Sequence, residues 1–542
     1  IDIEVASDDG FPNVDLATKE ITAITYYVDG IYHAFGCGDY VSSDESHHYT
    51  KCKDEISLID AFLNVWTEDY SDVITGWSIT QFDIPYLVNR IRVLCRDDSG
   101  DPARSLSPWG MIYEHDVEVL KKKRRFYDLA GIGILDYIDI YKKFPAPKGR
   151  ESYALNYIAK LELEEGKLDY GEYGTLTDLY RSNYQKFIDY NIRDVELVFK
   201  LEKKLKLIEL VLTLAYKSKV NYQDVYHQTK MWDSLIYNHL KNKNIIVPPK
   251  SQTLKGESYV GAYVKPTIVG KHKWVVNFDL TSLYPMLIQQ YNISPETMVK
   301  PTDELYKKLI EHINDQKVSV ETLVDKTPDL SFLKQYGVSM TPNKQFFKQV
   351  KQGFMPELMA KMCDERSYYR KEMLHAQKQL EVAREEGKHD IQHSIVQYNN
   401  FQSVIKICLN SLYGTVGNPG FRFFDVRIAE AVTLSAQLSI KFIVSRLNKI
   451  LNKMAATEHA DYVIASDTDS VYLNLEAIVE KMEGIDTTDT KKVIRLLDEF
   501  SKEILSPYIK KSFEELATYM NAYANKMSMK REALASVGIW TK

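Results

Sequence analysis

Cysteine is scarce: the 542-residue chain carries five, Cys37, Cys52, Cys95, Cys363 and Cys408, none in C-x-x-C spacing. That excludes a zinc ribbon and a disulfide framework, and it reads as free thiols in a reducing compartment. Long hydrophobic runs are missing too; none reaches the roughly 18 residues of a membrane span. Neither charge sign dominates, since 69 basic against 75 acidic residues leave −6. A uniformly basic nucleic-acid coat is thereby excluded, whereas a basic groove on an acidic body is allowed. There is no low-complexity segment and no internal repeat, and a composition 44% hydrophobic and 27% charged excludes wholesale disorder. At about 100–200 residues per domain, the length predicts three to five domains. Both ends read as cut. Ile1 opens inside an apolar–acidic alternation with no methionine or targeting signal, and Lys542 follows Val537-Gly538-Ile539-Trp540, so a fragment of a larger protein is expected.

The patterning predicts mixed α/β structure. Ile1 to Val5 and Ile21 to Val28 suggest paired strands; Ser57 to Tyr70 and Ile84 to Cys95 have helical spacing, with a short buried strand over Val73 to Trp77. The basic run Lys121 to Arg125 reads as a solvated turn, with a DNA-facing hairpin as the alternative. One long helix is expected over 185–215, and another helical stretch from about 221 to 243 before Pro248-Pro249. Residues 300–352 give no clear pattern. Pro356 to Glu386 predicts a long helix ended by Gly387, and Lys388 to Leu412 a second one stopped by Gly414, together an antiparallel hairpin. Residues 425–455 are helical again, and Tyr462 to Ala465 and Val471 to Leu475 read as strands around a tight acidic turn.

Two sets of acids stand out. Asp2 and Glu4 alternate on one strand and share a face, about 6.5–7 Å apart. Two carboxylates there repel each other unless cations lie between them. Asp83 sits among apolar neighbours in Gln81-Phe82-Asp83-Ile84-Pro85, and Tyr190 and Asp194 fall one helical turn apart. Four carboxylates and a phenol can hold two Mg²⁺ ions about 3.5–4 Å apart, with Tyr190 orienting an attacking water. In the second set, Asp279 ends a strand in Asn277-Phe278-Asp279-Leu280-Thr281-Ser282-Leu283-Tyr284-Pro285, ahead of a helix start suited to phosphate. Tyr284 can present its ring where a sugar must fit. Asp467 and Asp469 project from Ser466-Asp467-Thr468-Asp469-Ser470; with Asp279 they can hold two Mg²⁺ ions for attack of a 3′-hydroxyl on a nucleoside triphosphate. Lys406, Asn410 and Tyr413 share one helix face, Arg366 and Arg370 another, and converging faces offer three cations to a triphosphate. Taken singly, each has a bland reading: a surface acid, a hairpin turn, a solvated helix cation.

Taken in order, the first set resembles the three exonuclease motifs of DnaQ-like 3′–5′ proofreading nucleases, D-x-E, an acid after a short strand, then Y-x-x-x-D. Asp2, Glu4, Asp83, Tyr190 and Asp194 match residue by residue, with Ser78 nearest the place of that family's usual asparagine. D-x-x-S-L-Y-P, K-x-x-x-N-S-x-Y-G and D-T-D-S follow the motif order of family B DNA polymerases. The chain is similar in particular to the replicative polymerases of T4-like bacteriophages, through Ile134-Leu135-Asp136-Tyr137-Ile138-Asp139, Asn292 to Thr297 and Ser258-Tyr259-Val260-Gly261-Ala262. The resemblance implies Asp279, Asp467 and the Leu280 carbonyl as metal ligands of the synthetic site and Asp469 as its third acid. It implies that Ser282, Leu283, Arg366, Arg370, Lys406 and Asn410 bind the triphosphate, that Tyr284 is a steric gate against a 2′-hydroxyl, and that Tyr413 lies beside the nascent pair. Tyr259, Gly261 and Gly414 would touch DNA. Glu532 resembles a further acid near the metals, while Lys530 stands where relatives often have aspartate.

The implied fold is multidomain, α/β and α+β: an RNase H-like exonuclease domain over 1–207, a helical connector over 208–250, palm over 251–352 and 419–542, and a two-helix fingers insertion over 353–418. The thumb is expected to be absent, together with the K-K-R-Y segment that grips the primer, so weak, distributive or no synthesis is expected from the chain alone, with exonuclease activity surviving. The implied cofactor is Mg²⁺, two ions per site, which Mn²⁺ can replace. The implied partners are primer-template DNA, deoxynucleoside triphosphates and, as one option, a separate polypeptide carrying the thumb. No sliding-clamp contact through this chain and no membrane are expected, and the place is the cytoplasm of an infected bacterial host. A nuclease with an inert synthetic half, and a non-catalytic DNA-binding fragment, are the competing readings.

Overall fold

The computed structural model describes residues 1–7, 10–42, 44–95, 100–119, 122–144, 150–250, 259–482 and 489–541. The chain divides into two compact units, Ile1–Tyr226 and His227–Lys542.

The first unit opens with three antiparallel strands, β1 (Asp2–Val5), β2 (Ile21–Val28) and β3 (Ile31–Gly36), and β4 (His47–Lys51) adds in parallel beside β3. Alternation on β1 buries Ile3 and Val5 and turns Asp2 and Glu4 to the other face. Helix α1 (Glu55–Glu68) starts at Asp54, whose carboxylate accepts the Ser57 N–H in a capping box. Its helical stripe Leu58, Ile59, Phe62 and Trp66 is buried. There follow β5 (Val73–Gly76), α2 (Asp83–Leu94), β6 (Ile112–Val119), β7 (Lys122–Leu129) and β8 (Gly133–Asp136); β5 pairs in parallel with β8, and β6 with β7 as an antiparallel hairpin. The basic run thus lies largely on a strand instead of in a turn. Arg125 pairs with Asp116 at 3.2 Å, Arg124 donates to Gln81, and Lys121 lies outside the described residues.

Among the described residues this unit continues with five α-helices: α3 (Tyr137–Lys143), α4 (Leu155–Leu163), α5 (Leu176–Ser182), α6 (Tyr184–Leu205) and α7 (Leu207–Ser218). The single helix expected over 185–215 is two. Lys206 takes a left-handed φ of 56°, and the Glu202 carboxylate accepts the Ile208 N–H at 3.0 Å, so that α7 starts anew. The expected domain limit at 207 falls at this break, inside the first unit.

A short 3₁₀ turn, Tyr222–Tyr226, ends the first unit inside the expected 221–243 stretch, and the second unit begins with α8 (Gln228–Lys241). Then come β9 (Val264–Lys265), β10 (Gly270–Leu280), whose end carries Asp279 as expected, and α9 (Leu283–Gln290). The unassigned stretch 300–352 holds α10 (Glu304–Ile313), α11 (Val320–Val324), α12 (Phe332–Tyr336) and the hairpin β11 (Val338–Met340)–β12 (Phe346–Lys348). Two long helices follow, α13 (Phe354–Val382) and α14 (Glu385–Val416), with Tyr369 stacked on Phe401 at 4.8 Å along their seam. Neither glycine stops them. The break comes at extended Ala383 and Arg384, Gly387 lies in the first turn of α14, and α14 runs on through Gly414, where exposure keeps the cost of a helical glycine to about 1 kcal/mol.

Helix α15 (Val426–Ala455) is the one helix among the described residues long and apolar enough to cross a membrane by length and composition; most of it is buried. The remaining elements are β13 (Val463–Asp467), β14 (Ser470–Asn474), α16 (Glu476–Glu480), α17 (Thr490–Phe500), α18 (Ser506–Tyr519) and β15 (Met529–Trp540). Five antiparallel strands form one sheet in the order β15-β10-β14-β13-β9, which brings Asp279 and the 467–470 turn to neighbouring strand ends.

Phe62 is fully buried against the rings of Tyr26, Phe35 and Trp66, with centroids 6.1, 6.0 and 5.4 Å away. Phe62→Ala is expected to cost about 3–5 kcal/mol in the first unit, read as a lower urea midpoint at unchanged slope. A midpoint within error of wild type would show that this cluster does not hold the sheet to α1.

Candidate active sites

In the first unit Asp2 and Glu4 on β1 meet Asp194 on α6, with ligand oxygens all within 4.8 Å of one another. Among the described residues no other group of three or more metal-ligating side chains gathers so closely. The Asp2 carboxylate accepts the Asn191 amide at 2.7 Å, and that side chain accepts the Thr25 hydroxyl at 2.5 Å, a relay from β2 through α6 to β1. Asp83, at the start of α2 and 3% exposed, accepts the Ile3 N–H at 2.9 Å from the same strand. The helical spacing also puts Tyr190 beside Asp194, as predicted.

Two residues at this site gave no signal in the sequence. Asn191 hides inside Tyr190-Asn191-Ile192-Arg193-Asp194 as an unremarked neighbour. Lys167 comes from a connection with no periodicity. Its ammonium donates to Asp194 at 2.5 Å and to the Tyr190 hydroxyl at 3.0 Å.

The electrostatics follow from burial. Removal from water pushes Glu4 up to about 8, helped by Asp194, and Asp83 up to about 7. Asp2 is held well above the carboxylate range by burial and then by Asp83, Asp194 and Glu4, and burial raises Asp194 too. Burial works against the Lys167 ammonium, but Asp194, Tyr190 and Asp2 outweigh it and hold the lysine above its ordinary value. One side-chain cation, Lys167, against four carboxylates leaves negative charge that divalent ions would neutralise; the all-oxygen donor set suits Mg²⁺ or Mn²⁺.

In the second unit Asp279 is the register partner of Ser470, and the Leu280 N–H donates to the Asp469 carbonyl at 2.8 Å. The turn between β13 and β14 is tight. The Asp469 N–H reaches the Asp467 carbonyl at 2.6 Å, and Thr468 takes a left-handed φ of 54°. Burial, then Asp469 and Glu532, raise Asp279 to about 6; burial, Asp467 and Glu532 raise Asp469. Asp469 therefore feels the negative charge of both Asp467 and Glu532. The place of Glu532 comes from a bulge: Asn277 faces Ala533 while Phe278 faces Arg531, which leaves Glu532 as the extra residue. Lys530 is the register partner of Asp279, and Arg531, on the other face, pairs with Asp498 at 2.5 Å. These acids are drawn to one strand end but spread more widely than the trio in the first unit.

The other expected residues lie at α9, on α13 and α14, and in the segment before β9. Ser282 precedes α9 in a left-handed conformation, and Leu283 is buried. Tyr284 stacks on Tyr413 at 4.4 Å and 22°, and the Tyr413 hydroxyl donates to that of Tyr259 at 3.5 Å. The Tyr259 hydroxyl lies where a Cβ on Gly417 would come within 2.1 Å, and Gln437 donates to the Gly261 carbonyl at 2.7 Å. Ser258 of that string lies outside the described residues. On α13 the half-buried Arg366 has a buried Nε without a partner, and burial and Arg370 lower it. Lys406, Asn410 and Gly414 are exposed on α14.

The model of the DNA polymerase family B exonuclease domain matches residues 1–158, and that of DNA polymerase family B matches residues 221–514. Over its whole length the chain is 32% identical to the DNA-directed DNA polymerase of Escherichia phage RB69 and 29% identical to that of Enterobacteria phage T4, and it spans 65% of each. It is 25% identical to the DNA polymerase delta catalytic subunit of Caenorhabditis elegans, over 85% of this chain and 40% of that protein. With the family pattern running through more than half of its residues and the exonuclease pattern ahead of it, the chain belongs to DNA polymerase family B.

Proposed function

We propose that the chain carries out DNA-templated DNA synthesis from deoxynucleoside triphosphates with 3′–5′ exonucleolytic proofreading, in viral DNA replication in the host cytoplasm. The observation that carries this reading is the pair of acid clusters, one per unit, each with carboxylates lifted by burial and mutual repulsion. The first unit is taken as an RNase H-like exonuclease domain. Its antiparallel β1–β3, the Ile1 N to Thr75 O bond that joins β1 to β5, and parallel β5–β8 support that. In the second, the five-stranded sheet is taken as the palm and α13–α14 as the fingers.

Two divalent ions at each site would supply charge neutralisation and activation of the attacking oxygen. Asp2, Glu4, Asp83 and Asp194 would hold them at one site; Asp279, Asp467 and the Leu280 carbonyl, with Asp469, at the other. Lys167 fixes the Tyr190 hydroxyl, which orients the water that attacks the terminal phosphodiester. Tyr259 and Gly261 would track the primer strand. Arg366, Arg370 and Lys406 take the triphosphate oxygens, with Ser282, Leu283 and Asn410 beside them, as α13 and α14 close over a correct nucleotide. Tyr284, propped by Tyr413, leaves no room for a 2′-hydroxyl, and Gly414 lets the template strand lie close. A nuclease with an inert synthetic half is the second reading; the wider spread of the palm acids favours it.

Asp83→Ala is expected to abolish degradation of single-stranded 3′ ends, by more than the roughly 100-fold that losing a ligand-orienting neighbour costs, and to leave primer extension unchanged. Asp469→Ala should do the reverse. If neither substitution changes either activity, the assignment of both sites is wrong. Tyr284→Val should raise ribonucleotide incorporation relative to deoxyribonucleotide by at least about 10-fold; an unchanged ratio in single-nucleotide extension would remove the gate.

Glu4 near 8 and Asp83 near 7 lie above their unfolded values of about 4, so the folded state binds more protons between those limits. In chelator, the melting temperature of the first unit should therefore fall from pH 5 to pH 8. Mg²⁺ should restore it most at pH 8, and Glu4→Gln should flatten the slope. An identical slope in the variant would show that Glu4 does not titrate in this range.

A further inference from the structure

Asp136 ends β8, is 2% exposed and takes no part in the chemistry described above. Four donors reach its carboxylate. Oδ1 accepts the Ser78 N–H at 2.9 Å and the Ile138 N–H at 3.3 Å; Oδ2 accepts the Thr80 N–H at 3.0 Å and the Thr80 hydroxyl at 2.7 Å. The Ile138 bond caps α3 and is the longest of the four. The three shorter bonds cross to the β5–α2 connection, more than fifty residues earlier in the chain.

That connection is an awkward piece of backbone. Ser78 carries a left-handed φ of 70°, a conformation that is strained for a non-glycine residue and persists only when its surroundings hold it. The Gln81 and Phe82 N–H groups bond back to the Ser78 carbonyl at 3.0 and 3.1 Å, and the Ile84 N–H to that of Ile79 at 3.0 Å. Helix α2 then begins at Asp83, which bonds the Ile3 N–H between Asp2 and Glu4. The place of Asp83 thus depends on where the Ser78–Thr80 turn is pinned.

We infer that Asp136 is a positioning residue of the exonucleolytic site: its carboxylate clamps the Ser78–Thr80 turn and so sets where Asp83 stands against Asp2 and Glu4. The inference rests on the reading of Asp83 as a member of that site. A charged acceptor suits the task, because bonds to an ionised carboxylate are shorter and about twice as strong as neutral ones. Asparagine would keep one acceptor oxygen but place an amide against donors.

The test uses the full chain and two readouts. One is degradation of an end-labelled single-stranded oligonucleotide over a range of Mg²⁺ concentrations. The other is Mn²⁺ binding without DNA, followed by electron paramagnetic resonance for the class of sites that Asp2→Ala abolishes. Asp136→Ala should lower kcat about 10–100-fold, raise the half-saturating Mg²⁺ and the Mn²⁺ Kd about 10-fold, and leave KM for the oligonucleotide within about twofold. Asp136→Asn should fall between it and wild type. Thr80→Val, which keeps the carboxylate and removes one donor, should shift the same quantities about threefold. A purely structural role would lower melting temperature and active fraction while metal dependence stayed as in wild type; that outcome in Asp136→Ala overturns the inference. If that variant does not fold, wild-type metal dependence in Thr80→Val overturns it equally. Should Asp83→Ala keep both degradation and Mn²⁺ binding, it is the reading of the site that fails, and the inference with it.

Discussion

Repulsion between buried carboxylates is the constraint on which the first unit depends. Three acids with oxygens within 4.8 Å, Asp194 buried and Asp2 and Glu4 half-buried, cannot all ionise without compensation. The fold answers with one ammonium, Lys167, and with amide donors from Asn191 and Ile3. That is too little positive charge for the number of acids, and the raised affinities for protons at Asp2, Glu4 and Asp83 express the shortfall. The deficit is selective. It favours small dications over further lysines, because a dication brings two charges into a space that a side chain would fill.

The second unit meets the same repulsion with a different device. Its acids lie on strand ends and in a tight turn, nearer solvent, and burial with neighbouring acids lifts Asp279 and Asp469. A one-residue bulge in β15 brings Glu532 to them while the next residue back, Arg531, turns away to Asp498. A regular strand there would put the wrong side chain beside Asp279.

Much of this was legible in the sequence because it is written in short periods. The alternation of Asp2 and Glu4, the helical spacing of Tyr190 and Asp194, and the strand–turn–strand around Asp467 and Asp469 each need only local geometry. The misses have non-local or conformational causes. Lys167 reaches Asp194 from an aperiodic connection, so only the fold could find it. The break at Lys206 depends on Glu202 capping the next helix, and Tyr137 donates to that same carboxylate from 65 residues away. Gly387 and Gly414 mislead because glycine permits a helix end without enforcing one. The stretch 300–352 stayed opaque because its elements, such as the five-residue α11 and the three-residue β11, are shorter than a hydrophobic period can reveal.

The ring of Tyr413 lies against Tyr284 while its hydroxyl meets that of Tyr259, and Tyr259 fills the hollow above Gly417. Gly417 caps the end of α14 and its N–H bonds the Tyr413 carbonyl at 3.4 Å, so a tilt of α14 moves the two together. Tyr284 and the segment carrying Gly261 are thereby geared to the same lever. A bulkier residue at 417 would evict Tyr259 and unseat Tyr284 at second hand, from a position that touches neither acid cluster.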